Sequence, residues 1–392
     1  MRTAPTAPAV APEELARQVR ELGLREGLDA VGIAPAAPFG RARTALEERK
    51  AAGLHAGMAF TYRNPARSTT PARTVGGARA IVVGARRYPS SLPSGSSGSD
   101  LAEERSAGPT GRVARYAWTD HYRPLRESLA VIARHLKAQG HRAVVVVDDN
   151  ALVDREAAYR AGIGWFGKNA NLLLPGGRGS WFVLGGVITT AALPPTREVV
   201  PDGCGACHRC LDACPTGAIV APGVIDANRC LAWLVQRPGT FPRKYRDALG
   251  DRIYGCDDCQ EVCPPNLRVD RDGAVPGTAD GEPEVDLLEL LAADDTGLLA
   301  RYGRWYLAGR DPRWLRRNAL LALGNAADGR QPGVVGALQR YLSHPDPMLR
   351  AHAVWACRRL GRADLLTAVA LDVDPAVVEE LAAAPPPARG GS

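Results

Sequence analysis

The sequence predicts a chain of the α+β class in three parts: a layered first part, a cysteine-rich middle and an all-helical end. Three observations carry that expectation. Helical periodicity alternates with short runs of β-branched residues up to about residue 198. Eight of the nine cysteines fall between Cys204 and Cys263. From Val285 onward the pattern is helical, with Asp-Pro pairs at 311–312, 346–347 and 374–375.

Residues 14–22 place apolar side chains at helical spacing, and 29–34 form a short strand candidate. Residues 78–85 are apolar enough for a buried strand. The Ser/Gly-rich run 90–100 and the polar stretch to Gly111 fit a disordered insertion better than a lid. Residues 122–139 form an amphipathic helix with Leu125, Leu129, Ile132 and Leu136 on one face, stopped by Gly140. The run AVVVV at 143–147 is expected to be a fully buried strand that ends in the turn Asp148-Asp149-Asn150. A helix over 152–160, the glycine-rich stretch 161–169 and a strand over 181–190 complete the first part, 1–198. The cysteine region spans 199–268, and 269–285 has the Gly/Asp/Pro content of a linker. In the last part, 285–384, Leu315 and Ala319 recur as Leu349 and Ala353, an offset near that of two-helix solenoid repeats. A short HEAT-like stack that leans on the cysteine region follows, because helix pairs need neighbours to cover their apolar faces.

Net charge is +7 and nearly all of it is arginine, a residue suited to bidentate phosphate contact, although a GC-rich genome also favours arginine. No stretch approaches the roughly 18–20 apolar residues of a membrane span. The first 24 residues lack a charged-then-apolar signal, and Arg86-Arg87 lies too deep in the chain to direct export. The expected compartment is the cytoplasm, where disulfides are rare and clustered cysteines act as metal or redox ligands.

The first cysteine motif, Cys204-x2-Cys207-x2-Cys210-x3-Cys214-Pro215, has bacterial ferredoxin spacing. Three close thiolates wrap one 4Fe–4S cubane, and the fourth, before proline, reaches a second cluster. Cys256-x2-Cys259-x3-Cys263-Pro264 repeats the pattern with its missing member upstream at Cys230. The expected sets are Cys204, Cys207, Cys210 and Cys263 for one cluster, and Cys214, Cys230, Cys256 and Cys259 for the other. Structural zinc also takes four cysteines, but its ribbons pair C-x2-C arms and do not use a triplet followed by Cys-Pro. Cys357, in a helical segment, reads as a buried core thiol.

Beyond the cysteines, the whole chain resembles epoxyqueuosine reductase. The resemblance is carried by VDDNALVDR at 147–155, AGIGWFGKN at 161–169, the Gly-Ser-Trp strand from 179 to 189, YGCDDCQEVCP at 254–264 and RNALLALGN at 317–325. Gly186 departs from the family's glutamate, and Pro265 from its usual tryptophan. The resemblance implies a nitroreductase-like, cobalamin-binding first domain, a ferredoxin-like module with two 4Fe–4S clusters, and HEAT-like repeats. It implies reduction of epoxyqueuosine to queuosine at the tRNA wobble position, and a place for cobalamin although the chain has no D-x-H-x-x-G box. It places Asp148 as the proton donor, with Arg155, Lys168 and Asp257 near the cofactors. From the residues alone, Asp-Asp-Asn after a strand is also ordinary turn chemistry, and Lys168 also fits a plain turn. Tyr122 reads as a packing residue at a helix start and His121 as a surface histidine.

The implied partners are the anticodon stem-loop of a tRNA and an external low-potential electron donor, with the chain a monomer. Arg301, Arg304, Arg310, Arg313, Arg316 and Arg317, with Arg237, Arg243, Lys244 and Arg246, would track phosphates. Two other classes fit the cysteines: another corrinoid iron–sulfur reductase, dehalogenase-like or cobalt-reducing, and a ferredoxin-type electron-carrier module. A carrier would bind no corrin.

Overall fold

In the computed structural model, residues 10–60, 62–88, 108–196, 200–272 and 281–386 are described. The Ser/Gly-rich run at 90–100 lies outside them.

The first part is built on a four-stranded antiparallel sheet. Its strands are β1 (Ala30–Pro35), β2 (Ala80–Arg87), β3 (Ala143–Val147) and β4 (Phe182–Thr189), in the spatial order β1-β2-β4-β3. Alternation along β2 serves both faces. Ala80 and Val82 pack with helices α1 (Pro12–Arg25) and α3 (Tyr122–Ala138). Ile81 and Val83 turn to the other face, under α4 (Asp154–Arg160). Helix α2 (Gly40–Ala51) completes the first half. The apolar stripe of α3 is fully used: Leu125, Leu129, Ile132 and Leu136 are all at 0% exposure. Gly186 pairs with Val83 in mid-sheet, where an added Cβ would come within 3.2 Å of Ile81 and 3.3 Å of the Val82 carbonyl. That crowding suits the glycine.

Two expectations change here. The AVVVV strand is not fully buried: β3 is an edge strand, and Val144 is 42% exposed because one side of it faces solvent. His121 is not a surface residue. It is buried, stacked on Tyr88 with ring centroids 5.0 Å apart, and burial lowers its pKa to about 4.

The proposed linker also resolves differently. Helix α5 (Pro264–Arg271) enters it from one side. At the other end, Glu284–Asp286 pairs antiparallel with Thr110–Val113, which pairs parallel with Arg252–Tyr254. One three-stranded sheet thus ties the first part, the cysteine region and the helical end together, because extended backbone needs ladder partners.

The helical end comprises α6 (Leu287–Ala292), α7 (Asp295–Tyr302), α8 (Arg313–Ala326), α9 (Pro332–Leu342), α10 (Pro347–Arg359) and α11 (Pro375–Ala382). The Asp-Pro pairs share one geometry: the Asp311, Asp346 and Asp374 carboxylates accept from the amides of Arg313, Met348 and Ala376 at 2.8–2.9 Å. Leu315, Ala319, Leu349 and Ala353 are all at 0% exposure, and Cys357 lies fully buried among them. The same core takes in Leu231, Leu234, Phe241, Leu249 and Ile253 of the cysteine region.

RNALLALGN is the dock between these two parts. Arg317 is fully buried. It donates to the carbonyls of Leu234 (3.0 Å), Val235 (3.1 Å), Arg237 (2.8 Å) and Gly239 (2.6 Å). Asn318 Nδ2 donates to the carbonyls of Val235 (2.8 Å) and Ile253 (3.1 Å), and Asn325 Nδ2 to those of Arg246 (2.8 Å) and Gly250 (3.0 Å). Those of Leu234 and Val235 stand at the end of the short helix Leu231–Leu234, where carbonyls lack intrahelical partners. Replacing Arg317 with Met takes the donor from three of its carbonyls, those of Leu234, Arg237 and Gly239, since Asn318 still serves Val235, so a loss of about 3–5 kcal/mol is expected. The fall of the urea midpoint checks it; Arg317→Lys recovers little, since an ammonium lacks the planar fork.

Candidate functional site

The cysteine region consists of short elements, Arg209–Asp212, Leu231–Leu234, Asp258–Glu261 and α5, that carry thiols on their flanks. All nine cysteines are free of disulfides, and the eight in this region are partly exposed. Burial raises the thiols of Cys210, Cys230, Cys256, Cys259 and Cys263, and the neighbouring thiols that add to it divide the set. Cys204, Cys210 and Cys207 act on Cys263. Cys214 acts on Cys230, and Cys230 on Cys256. Cys259 feels Cys256 and Cys230 first and then Cys210, which sets the two groups side by side. Among the described residues, no three Cys, His, Asp or Glu side chains converge as one metal ion requires. A cubane takes one thiolate at each of four separate irons. A cavity of about 270 Å³, lined by Arg115, Trp118, Arg252, Cys256 and Asp257 among others, opens beside the Cys256 loop.

The glycine-rich stretch holds the cysteine region in place. Lys168 Nζ donates to the Gly205 carbonyl at 2.7 Å, inside the first cysteine loop. Asn169 Nδ2 donates to the Cys259 carbonyl at 3.2 Å. Trp165 lies so close to Gly203 that an added Cβ would sit 2.7 Å from its ring. Gly179 has φ +68°, and a Cβ there would come 2.1 Å from Asn266 Oδ1. That oxygen accepts from the Ser180 amide at 2.6 Å, while Ser180 Oγ donates to Gln260 Oε1 at 2.9 Å. The Gly-Ser-Trp and Cys-Gln signatures therefore meet across the joint. Roles for Asn169, Ser180, Gln260 and Asn266 escaped sequence reasoning. For Asn169, Ser180 and Gln260 the signal was their place inside the motifs; Asn266 lies two residues past one.

Asp257 is buried between Cys256 and Cys259, and burial lifts its pKa to about 6. Its Oδ2 accepts from the Arg115 amide at 2.6 Å, so it pins the strand-to-helix segment at 115 to the cluster loop. Arg115 pairs with Asp270 at 2.9 Å and lies over the Trp181 ring.

Asp148 ends β3 with φ +51°, a left-handed conformation that costs a non-glycine residue energy. Its neighbour takes the turn chemistry: Asp149 Oδ1 accepts from the Ala151 amide at 2.7 Å. Among the described residues no hydrogen bond or ion pair holds the Asp148 carboxyl. Burial raises its pKa, Asp154 adds to the rise, and Arg126 opposes it. Tyr122, at the start of α3, and Tyr254, at the end of its strand, both feel the Asp148 charge and are held protonated chiefly by burial. Tyr254 stands two residues before Cys256. Tyr122 packs at the helix start against the core under α1 and α3, as expected, and Tyr254 had no assigned role. Arg155 acts on Tyr122 as well, and its Nη1 donates to the Ala170 carbonyl at 2.9 Å.

Residues 203–266 match the model of a 4Fe–4S double cluster binding domain, and 304–384 that of HEAT repeats. Epoxyqueuosine reductase of Bacillus anthracis is 34% identical over 358 residues, 89% of this chain and 90% of that protein. The chain belongs to the epoxyqueuosine reductase family. The Bacillus subtilis member is 32% identical over 374 residues, 94% of this chain and 90% of its own length. A crystal structure of an epoxyqueuosine reductase with an epoxyqueuosine-modified tRNA-Tyr stem loop superposes with TM-score 0.82 at 30% identity, over 94% of this chain and 97% of that one. A Bacillus subtilis epoxyqueuosine reductase whose catalytic aspartate loop is swung out of the active site gives 0.81 at 30% identity, over 94% and 97%.

Within this member of the epoxyqueuosine reductase family, part of the expected basic surface is corrected. Arg317 and Arg246 are buried, the latter donating to Glu380 at 2.9 Å and to the Phe241 carbonyl. Arg243 also pairs with Glu380, Arg316 with Asp295, Arg301 with Glu282 at 2.8 Å, and Arg313 with Asp346 at 3.0 Å. A count of arginines does not separate solvated cations from those that satisfy carbonyls and carboxylates. Among the described residues no helix is long and apolar enough to cross a membrane.

Proposed function

We propose that this chain reduces epoxyqueuosine at the wobble position of tRNA to queuosine, with electrons relayed through two 4Fe–4S clusters. One juxtaposition carries the reading. The Asp148 carboxyl, raised by burial, shares its surroundings with Tyr254, on the loop that leads into Cys256. An acid stands where electrons arrive.

Turning an epoxide into an alkene consumes two electrons and two protons, and the oxygen leaves as water. Asp148 gives a proton to the departing oxygen, and its unpartnered carboxyl is available to do so. Tyr122 and Tyr254 line the same place with neutral phenols. The proximity of Cys263 to Cys204, Cys207 and Cys210, and of Cys230 to Cys214, supports the interlocked ligand sets. The first set is Cys204, Cys207, Cys210 and Cys263; the second is Cys214, Cys230, Cys256 and Cys259. The family resemblance also implies cobalamin, and the donors round Asp148 fit it: the Tyr122 hydroxyl and the Arg155 guanidinium suit the amide rim of a corrin and would hold it. When bound, its reduced cobalt supplies a nucleophile for an electrophilic epoxide carbon. Lys168 and Asp257 fix the cluster loops.

The partner is the tRNA anticodon stem-loop, as the solved relative with a modified stem loop supports. An external low-potential donor recharges the clusters. The chain works as a cytoplasmic monomer of three domains, 1–198, 199–268 and 285–384. Anaerobic protein loaded with iron, sulfide and cobalamin, given a chemical reductant and epoxyqueuosine-containing tRNA, is the test. Mass analysis of the digested nucleosides is expected to show loss of one oxygen. An unchanged nucleoside from fully loaded protein rejects the substrate.

A further inference from the structure

Next to Tyr254 stands an aromatic group that the chemistry above does not use. Tyr306 is 52% exposed, yet its main chain is tightly held. Its amide donates to Tyr254 Oη at 2.8 Å, and its carbonyl accepts from the same hydroxyl at 3.4 Å. The residue before it, Trp305, is buried, stacks on Tyr254 at 4.6 Å and 11°, and donates through Nε1 to the Ala117 carbonyl at 3.0 Å. The ring of Tyr306 leans on Trp233, 6.5 Å between centroids and 25° between planes. Trp233 is itself buried and anchored through Nε1 to the Ala56 carbonyl at 3.1 Å. At the far end of the same loop Arg310 is exposed, its Nη1 reaching the Gly303 carbonyl at 3.5 Å.

We infer that Tyr306, backed by Trp233, is a stacking platform for an unpaired base of the tRNA loop next to the base being reduced. This rests on the tRNA reading above and deepens it. A loop whose wobble base is presented to Asp148 must splay its neighbours, and splayed bases are received on aromatic faces. A fixed, exposed ring binds a base with little loss of side-chain freedom. Stacking needs no base-specific hydrogen bond, so the platform orders the loop without reading its sequence. The positive Arg310 beside it suits the adjoining phosphate.

Substitution of Tyr306 leaves its anchoring bonds intact, because they come from its main chain. The test is fluorescence anisotropy of the holoprotein with a labelled, epoxyqueuosine-bearing anticodon stem-loop. Tyr306→Ala is expected to weaken binding roughly tenfold and Tyr306→Phe by less than about twofold, with the salt slope unchanged in both. Binding by Tyr306→Ala at wild-type strength overturns the platform. So does an equal loss in Tyr306→Phe, which would assign the effect to the hydroxyl. A changed cobalamin spectrum with unchanged stem-loop affinity would give the ring to the cofactor and also overturn it. Wild-type protein that binds no stem-loop overturns the tRNA reading itself, a separate failure.

Discussion

Asp148→Asn is expected to keep its clusters and its affinity for tRNA while losing conversion by about 10²–10⁴-fold, the usual contribution of a positioned general acid. The structure separates this residue from its neighbour. Asp149 is spent on the turn, bonded to the Ala151 amide, whereas Asp148 is exposed, with no hydrogen bond among the described residues. The sign of the pH dependence follows. The donor must hold its proton, and burial first, then Asp154, raises its pKa. Single-turnover conversion therefore falls as pH rises through that raised value. Asp154→Asn removes one raising charge and moves the falling limb to lower pH. Arg126→Met removes the opposing cation and moves it to higher pH. A rate independent of pH, or an active Asp148→Asn, assigns the proton to another group.

The second large effect comes from exchanging cluster ligands between motifs. Cys263 lies in the second motif but is acted on by Cys204, Cys210 and Cys207 of the first, and Cys214 of the first motif acts on Cys230. Cys263→Ser should therefore leave the same residual cluster as Cys204→Ser, and Cys214→Ser the same one as Cys256→Ser. In each variant iron is expected to drop from about eight to about four per chain, with conversion falling to background. Electron paramagnetic resonance of the reduced variants checks the pairing. A Cys263→Ser spectrum that matches Cys256→Ser would mean that each motif keeps its own cluster.

The cysteine spacing and the stripe of α3 were legible because each encodes a local geometry. Thiols at fixed intervals wrap one cubane, and apolar residues at helical intervals share one face. The Asp-Pro pairs were legible for the same reason, since an aspartate bonds the amide two residues on whatever surrounds it. What a side chain meets across the fold was not local. Arg317 looked like one more cation for phosphate; four carbonyls from the cysteine region claim it. Lys168 gave no local sign of its bond to the Gly205 carbonyl. His121 carried no mark of its stack on Tyr88. AVVVV could not announce that it lies at a sheet edge, because edge position depends on strand order. Residues 284–286, in a polar stretch, gave no hint of their ladder with 110–113. Asp148 itself was found through a motif; its left-handed backbone and its freedom from the turn needed coordinates.

The most direct measurement is metal and sulfide analysis, with Mössbauer spectroscopy, of wild-type protein prepared without oxygen. Two coupled four-iron centres, about eight irons and eight sulfides per chain, are the expected result. Zinc in the cysteine region, or iron that stops near four per chain after full reconstitution, would contradict the account.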